Sequence, residues 1–219
     1  HYGLHLQKDE RYQETSQDMG NFLHDCLHAF VLALRKENLS WGTVGDADLN
    51  RLAENVCDAV RYLHHNGILA EKAFAPVYER LKLDFFSALR TVRGQLADTD
   101  VTVYAAELSL KDTEYLNFTL EDGTELALTC KVDRVDVLDN GAAKIVRIVD
   151  YKLSGKTASM KDVYYGLNIQ LLIYLKFVLE FFRAMGETVI IGGAFYFDLS
   201  LPLSEDSSPE SLLREKRMN

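Results

Sequence analysis

Two short runs hold most of the residues that could do chemistry: Lys131-Val132-Asp133-Arg134-Val135-Asp136 and Ile148-Val149-Asp150-Tyr151-Lys152. Between them, Asp139-Asn140-Gly141 is a strong hairpin signal, because Asn and Gly accept the positive φ of tight turns. The stretch Lys144 to Lys152 then pairs back on the strand before it. Side chains alternate along a strand, so Asp150 and Lys152 share a face. A turn centred between Asn140 and Gly141 sets Asp150 opposite Lys131 and Ile148 opposite Asp133, which leaves Asp133 on that face and diagonal to Asp150.

Two carboxylates and a lysine among apolar strand neighbours are costly to bury without a compensating cation. A small set of hard oxygen ligands favours Mg²⁺ or Mn²⁺, which keep positions open for water and a phosphate oxygen. Such an ion lowers the pKa of bound water and steadies charge developing on phosphorus. Lys152 can orient the attacking water and stabilise an anionic transition state. The chemistry is hydrolysis of a phosphodiester. The same charges also fit a plainer arrangement, with Asp133, Arg134 and Asp136 in surface ion pairs and Asp150 and Lys152 on an exposed edge. Spacing alone does not separate the two.

The elements that must position these residues follow from periodicity. Leu23, Leu27, Phe30, Val31 and Leu34 recur at helical spacing over Gly20 to Lys36, after Ser16 and Asp18 as caps. A second helix is expected over Asp46 to Asn66, stopped by Gly67, and a third over Glu71 to Leu96 with Pro76 in its first turns. Beyond Asp98 the period changes. Strands are expected from Val101, over Tyr115 to Leu120 and over Thr124 to Val137, with turns at Lys111-Asp112 and Asp122-Gly123. Met160 to Arg183 is apolar almost all round and reads as a helix buried on most sides. Val189 to Phe197 reads as a buried strand, and the Ser-, Pro- and acid-rich run past Leu201 as a linker. The class is α/β or α+β, with a leading helix in 1–40, further helices in 41–98, a core in 99–200 and a tail in 201–219.

With 219 residues, 47% of them hydrophobic, the chain can bury a sizeable core. Cys26, Cys57 and Cys130 are widely spaced and odd in number, and read as reduced core thiols. A net charge of −9 argues against a broadly basic surface that coats nucleic acid, though an acidic metal site accounts for part of the excess. No run approaches the ~18 apolar residues that span a bilayer, and no signal peptide opens the chain, so a cytoplasmic, non-membrane protein is expected. His1 in place of Met and the charged run Arg214 to Asn219 read as a piece of a longer chain.

Val-Asp-Arg-Val-Asp, a hairpin, Ile-Val-Asp-Tyr-Lys, a Ser-Gly loop and Tyr-Tyr-Gly-Leu-Asn-Ile-Gln-Leu-Leu-Ile-Tyr, taken in order, resemble the RecB-like branch of the PD-(D/E)XK nucleases, and within it the AddB/RexB type. Met19-Gly20-Asn21-Phe22-Leu23-His24 resembles the family's Gly-x-x-x-His helix, and Tyr2-Gly3-Leu4 its lead-in. The resemblance covers most of the chain, with 40–96 carrying little of it. It implies a restriction-endonuclease-like core, a central mixed sheet flanked by helices. It also implies His24, Asp133, Asp150 and the Tyr151 carbonyl as metal ligands and Lys152 as the catalytic lysine. Gln170 and Tyr174 match its Gln-x-x-x-Tyr signature, used near DNA; four apart, they project from one helix face, and a polar pair inside a packed helix is the plainer reading. Glu107 sits where the family often places a further acid, or is a simple exposed carboxylate. His24 and His28 also mimic half of a zinc-protease motif, but Asp stands where Glu is needed. Cys130 replaces a usual Gly, so the local backbone could differ.

The resemblance implies a deoxyribonuclease domain, an exonuclease that trims single-stranded ends in bacterial double-strand-break repair, beside an AddA/RexA-like helicase-nuclease partner. Members of the AddB type also carry an iron–sulfur cluster with a closely spaced C-terminal cysteine group, which this sequence does not contain. A Walker A motif is absent too. Two rival readings are a DNA-end-binding scaffold of the same fold with catalysis lost, and a stand-alone phage- or restriction-type nuclease.

Overall fold

The computed structural model describes residues 16–109, 116–153, 161, 164–165 and 169–200. The lead-in at Tyr2 to Leu4, the turn at Lys111-Asp112, the Ser-Gly loop and the tail past Leu201 lie outside them.

Helices dominate the first part. Helix α1 spans Ser16–Lys36, and its repeating apolar positions Leu23, Leu27, Phe30, Val31 and Leu34 are all buried, as a one-sided stripe requires. Helix α2, Asp46–Leu63, buries Leu49, Leu52, Ala53, Val56, Cys57 and Val60. It stops three residues before the expected Asn66 and passes into a 3₁₀ segment, His64–Ala70, in which Gly67 adopts φ +82°. Helix α3 runs Ala75–Leu96, starting later than expected because Pro76, which lacks an N–H, occupies its first turn. The Lys72–Phe74 stretch before it is 3₁₀.

The strands are β1 (Thr102–Ser109), β2 (Leu116–Thr119), β3 (Glu125–Leu128), β4 (Lys131–Asp139), β5 (Lys144–Lys152) and β6 (Val189–Asp198), with helix α4 (Gln170–Ala184) between β5 and β6. The expected single strand from Thr124 to Val137 is two, β3 and β4. β2 and β3 form their own two-stranded sheet, while the main sheet has the order β1-β4-β5-β6. β4 is antiparallel to β1 and β5. β6 runs parallel to β5, the relation a helical crossover permits.

The hairpin register differs from the one expected. Asp139 pairs with Lys144 and Arg134 with Val149, so the connection is the four residues Asn140 to Ala143 rather than a two-residue turn. The Asn140 carboxamide oxygen accepts from the Ala142 and Ala143 amides at 3.0 and 2.8 Å, which supports the longer turn. Moving the pairing by two residues keeps every side chain on its face. Continued one residue past the Arg134–Val149 pair, this register sets Asp133 across from Asp150 rather than diagonal to it.

Each face of the sheet has its own core. On one, Val149 and Tyr151 join the buried stripes of α1, α2 and α3. On the other, Val135, Val137, Val146 and Ile148 pack under Phe177, Val178 and Phe182 of α4. Two expectations of burial are corrected, a helix buried on most sides and a buried strand. Helix α4 rests on the sheet by one stripe and leaves Leu172 50% exposed. Strand β6 is an edge, paired on one side, and leaves Ile190 and Phe195 about half exposed.

Candidate active site

Asp133 and Asp150 sit on the two central strands and are buried. Between them the backbone adds a tie: the Tyr151 amide donates to Asp133 Oδ2 at 2.8 Å. Lys152, next but one along β5, brings its Nζ to 2.5 Å from Asp150 Oδ2. That oxygen is buried and makes no well-aligned hydrogen bond. Burial pushes the Asp150 carboxyl above its ordinary range, and the Asp133 charge adds to this while Lys152 opposes it.

Helices reach the pair from both faces. From α1, His24 places Nε2 at 3.1 Å from the Tyr151 carbonyl oxygen and Nδ1 at 3.4 Å from Asp133 Oδ1. Burial disfavours its charged form, but the Asp133 hydrogen bond and charge, the Tyr151 carbonyl and the Asp150 charge together hold the imidazole above its usual pKa. From α4, Gln170 Nε2 donates to Asp150 Oδ1 at 3.1 Å and to the Tyr174 hydroxyl at 2.8 Å. Burial pushes the Tyr174 phenol up to about 12, so it stays neutral at physiological pH.

Glu107 lies one strand away, on β1. Its carboxylate meets Lys131 Nζ at 2.9 Å and His28 Nδ1 at 3.5 Å. With His24, His28, Asp133 and Tyr151 it lines a small cavity of about 10 Å³, roughly one water. Glu107 holds φ +58°, a left-handed conformation uncommon for a residue with a Cβ. Cys130, just before β4, has no such φ, so its side chain meets no strain of that kind.

The structure thus brings His24, Asp133, Asp150, Tyr151, Lys152, Gln170 and Tyr174 into one connected network, with Glu107 at its border. Arg134 and Asp136 are buried rather than in surface ion pairs. Sequence reasoning did not assign a site role to His28 or Lys131. Helical spacing from His24 pointed to the first, and strand alternation from Asp133 to the second.

Among the described residues, no group of three or more His, Cys, Asp or Glu side chains is already spaced to hold an ion. In chemical type the donors fit a hard divalent cation: one imidazole, two carboxylates and a backbone carbonyl. Two buried carboxylates on adjacent strands, with a single Lys152 ammonium against one of them, are what such a cation offsets.

Comparison with known proteins places the chain in a family. The chain is 30% identical over 98% of its length to an ATP-dependent helicase/deoxyribonuclease subunit from Exiguobacterium sibiricum, covering 19% of that protein. It is 29% identical over 98% of its length to the protein of the same name from Clostridium kluyveri, again 19% of it. The corresponding Clostridioides difficile protein is 28% identical over 99% of this chain and 20% of its own length. The chain therefore spans about a fifth of these curated relatives. No helix among the described residues is long and apolar enough to cross a membrane. The profile of the PD-(D/E)XK nuclease superfamily matches residues 1–216, nearly the whole sequence, and the chain belongs to that superfamily of nuclease hydrolases.

Proposed function

We propose that this chain is a divalent-metal-dependent deoxyribonuclease domain of a helicase-nuclease complex, trimming single-stranded DNA ends during double-strand-break repair. The observation that carries the reading is the joining of the two buried carboxylates on neighbouring strands, the Tyr151 amide beside Asp150 donating to Asp133 Oδ2 at 2.8 Å and Lys152 Nζ lying 2.5 Å from Asp150. Its relatives are named as subunits of an ATP-dependent helicase/deoxyribonuclease, which supports a place beside a helicase-nuclease partner of the AddA/RexA kind, in a bacterial cytoplasm.

His24, Asp133, Asp150 and the Tyr151 carbonyl would hold Mg²⁺ or Mn²⁺, which supplies Lewis-acid polarisation of the phosphate and a more acidic bound water. In the reaction, water adds to phosphorus, one P–O ester bond breaks, and the leaving oxygen takes a proton. Lys152 orients the water and sets its positive charge against the anionic transition state. Gln170 holds Asp150 from the α4 side, and the hydroxyl of Tyr174 fixes Gln170 in turn. Glu107 keeps Lys131 and His28 at the border of the site.

The test is cleavage of end-labelled single- and double-stranded DNA in Mg²⁺, Mn²⁺ or EDTA, comparing the chain with Asp150→Ala and Lys152→Ala. Cleavage that needs the metal and disappears in both variants supports the reading. Folded protein that neither binds the metal nor cleaves DNA overturns it in favour of a scaffold that retains the fold.

A further inference from the structure

Beneath the site, on the opposite sheet face, lies a buried charge cluster that the proposed chemistry does not use. The Arg134 and Asp136 side chains are 2% and 0% exposed, with Nε 3.0 Å from Oδ1. Arg134 Nη2 donates to Asp136 Oδ2 at 3.1 Å and Arg147 Nε donates to the same oxygen at 2.7 Å. One carboxylate thus faces two guanidinium groups. The hydrogen bonding is incomplete, since Arg134 Nε, Asp136 Oδ1 and Arg147 Nη2 are buried without a well-aligned partner. Such a cluster seldom repays its desolvation, and apolar residues of similar volume often serve stability as well or better. Stability alone is therefore a poor reason for its presence.

The cluster reaches Tyr151 through Arg134. Arg134 Nη1 donates to the Tyr151 hydroxyl at 3.4 Å, and the guanidinium carbon lies 5.9 Å from the ring centroid. Phe197 and His24 meet the same ring edge-on at 5.7 and 5.6 Å. Alternation along β5 turns the Tyr151 side chain away from Asp150 and Lys152, while its peptide stays in the site. The Tyr151 N–H, in the peptide group before that side chain, holds Asp133, and the Tyr151 carbonyl, in the peptide group after it, meets His24.

We propose that Arg134, held by the Asp136 carboxylate that Arg147 shares, is a positioning residue that clamps the Tyr151 side chain and so fixes the two backbone groups, N–H and C=O, to which Asp133 and His24 are tied. The proposal deepens the nuclease reading and rests on it for its catalytic consequence, though its structural part stands without any metal. A clamp acting through one aromatic ring predicts an effect local to residue 151 rather than a general loosening of the core.

The experiment is amide hydrogen exchange at residue 151 in metal-free protein, followed by cleavage kinetics with Mg²⁺. Tyr151→Phe removes the hydroxyl and keeps the ring; Arg134→Lys keeps the charge and loses the planar fork. Phe182→Leu, in the core on the other face, is the control for general loss of stability. Both cluster variants are expected to speed exchange at residue 151 about tenfold, and to lower kcat about tenfold with KM for DNA little changed. The control is expected to do neither. Exchange at residue 151 equal to wild type in both cluster variants, or an equal rise in Phe182→Leu, overturns the clamp. That exchange pattern across the variants, in a wild-type chain that neither binds Mg²⁺ nor cleaves DNA, sinks the nuclease reading and leaves the clamp standing.

Discussion

The carboxamide of Gln170 lies 3.1 Å from Asp150 Oδ1, so the first residue of α4 touches a carboxylate of β5 across the loop that joins them. Gln170 also donates to Tyr174 one turn on, and the three groups act as a chain. Gln170→Leu and Tyr174→Phe are each expected to reduce kcat/KM for single-stranded DNA about tenfold, near 1.4 kcal/mol. The double variant should fall little below the Gln170 variant alone, because partners in one hydrogen-bonded chain are not additive. Full additivity in steady-state cleavage would show that Tyr174 acts independently of Gln170.

Lys152 is expected to tolerate no cation of different shape. Lys152→Arg keeps the charge but replaces a compact ammonium with a planar fork, in a space where Nζ sits 2.5 Å from Asp150. A drop in kcat of roughly 10²–10³, the scale of losing one transition-state stabiliser, should be read in single-turnover cleavage. An arginine variant with near wild-type turnover would leave Lys152 as a counter-ion only.

Glu107 offers a contrast between stability and activity. A left-handed φ costs a residue with a Cβ about 1 kcal/mol, and its ion pair with the largely exposed Lys131 returns little. Glu107→Gly should therefore raise the free energy of unfolding by about 0.5–1 kcal/mol in urea titration while slowing cleavage. A less stable variant would mean that its contacts with His28 and Lys131 outweigh the strain.

The core under α4 should respond by position along the helix. Phe182 is fully buried and Leu172 is half exposed. Phe182→Ala is expected to cost about 3–5 kcal/mol, and Leu172→Ala to stay within about 0.5 kcal/mol. Equal losses in thermal unfolding would contradict one-sided packing of this helix.

The sequence by itself determined which residues share a face. Period-two alternation is local, so Asp133, Asp150 and Lys152 fall together whether the hairpin turn has two or four residues. Helical spacing likewise placed the apolar stripe of α1, and the ordered motifs led to the superfamily that the profile over 1–216 supports. Turn length was not legible, because Asn140-Gly141 suits both a short turn and the longer one that Ala142 and Ala143 complete. Whether a charged residue is buried was not legible either: Arg134 and Asp136 look alike in sequence at a surface or under a helix. Only packing put α1 and α3 over that face and α4 over the other. It then brought His24 and Gln170 to the carboxylates from opposite sides of the sheet, since long-range contact depends on how separate elements meet rather than on any local repeat.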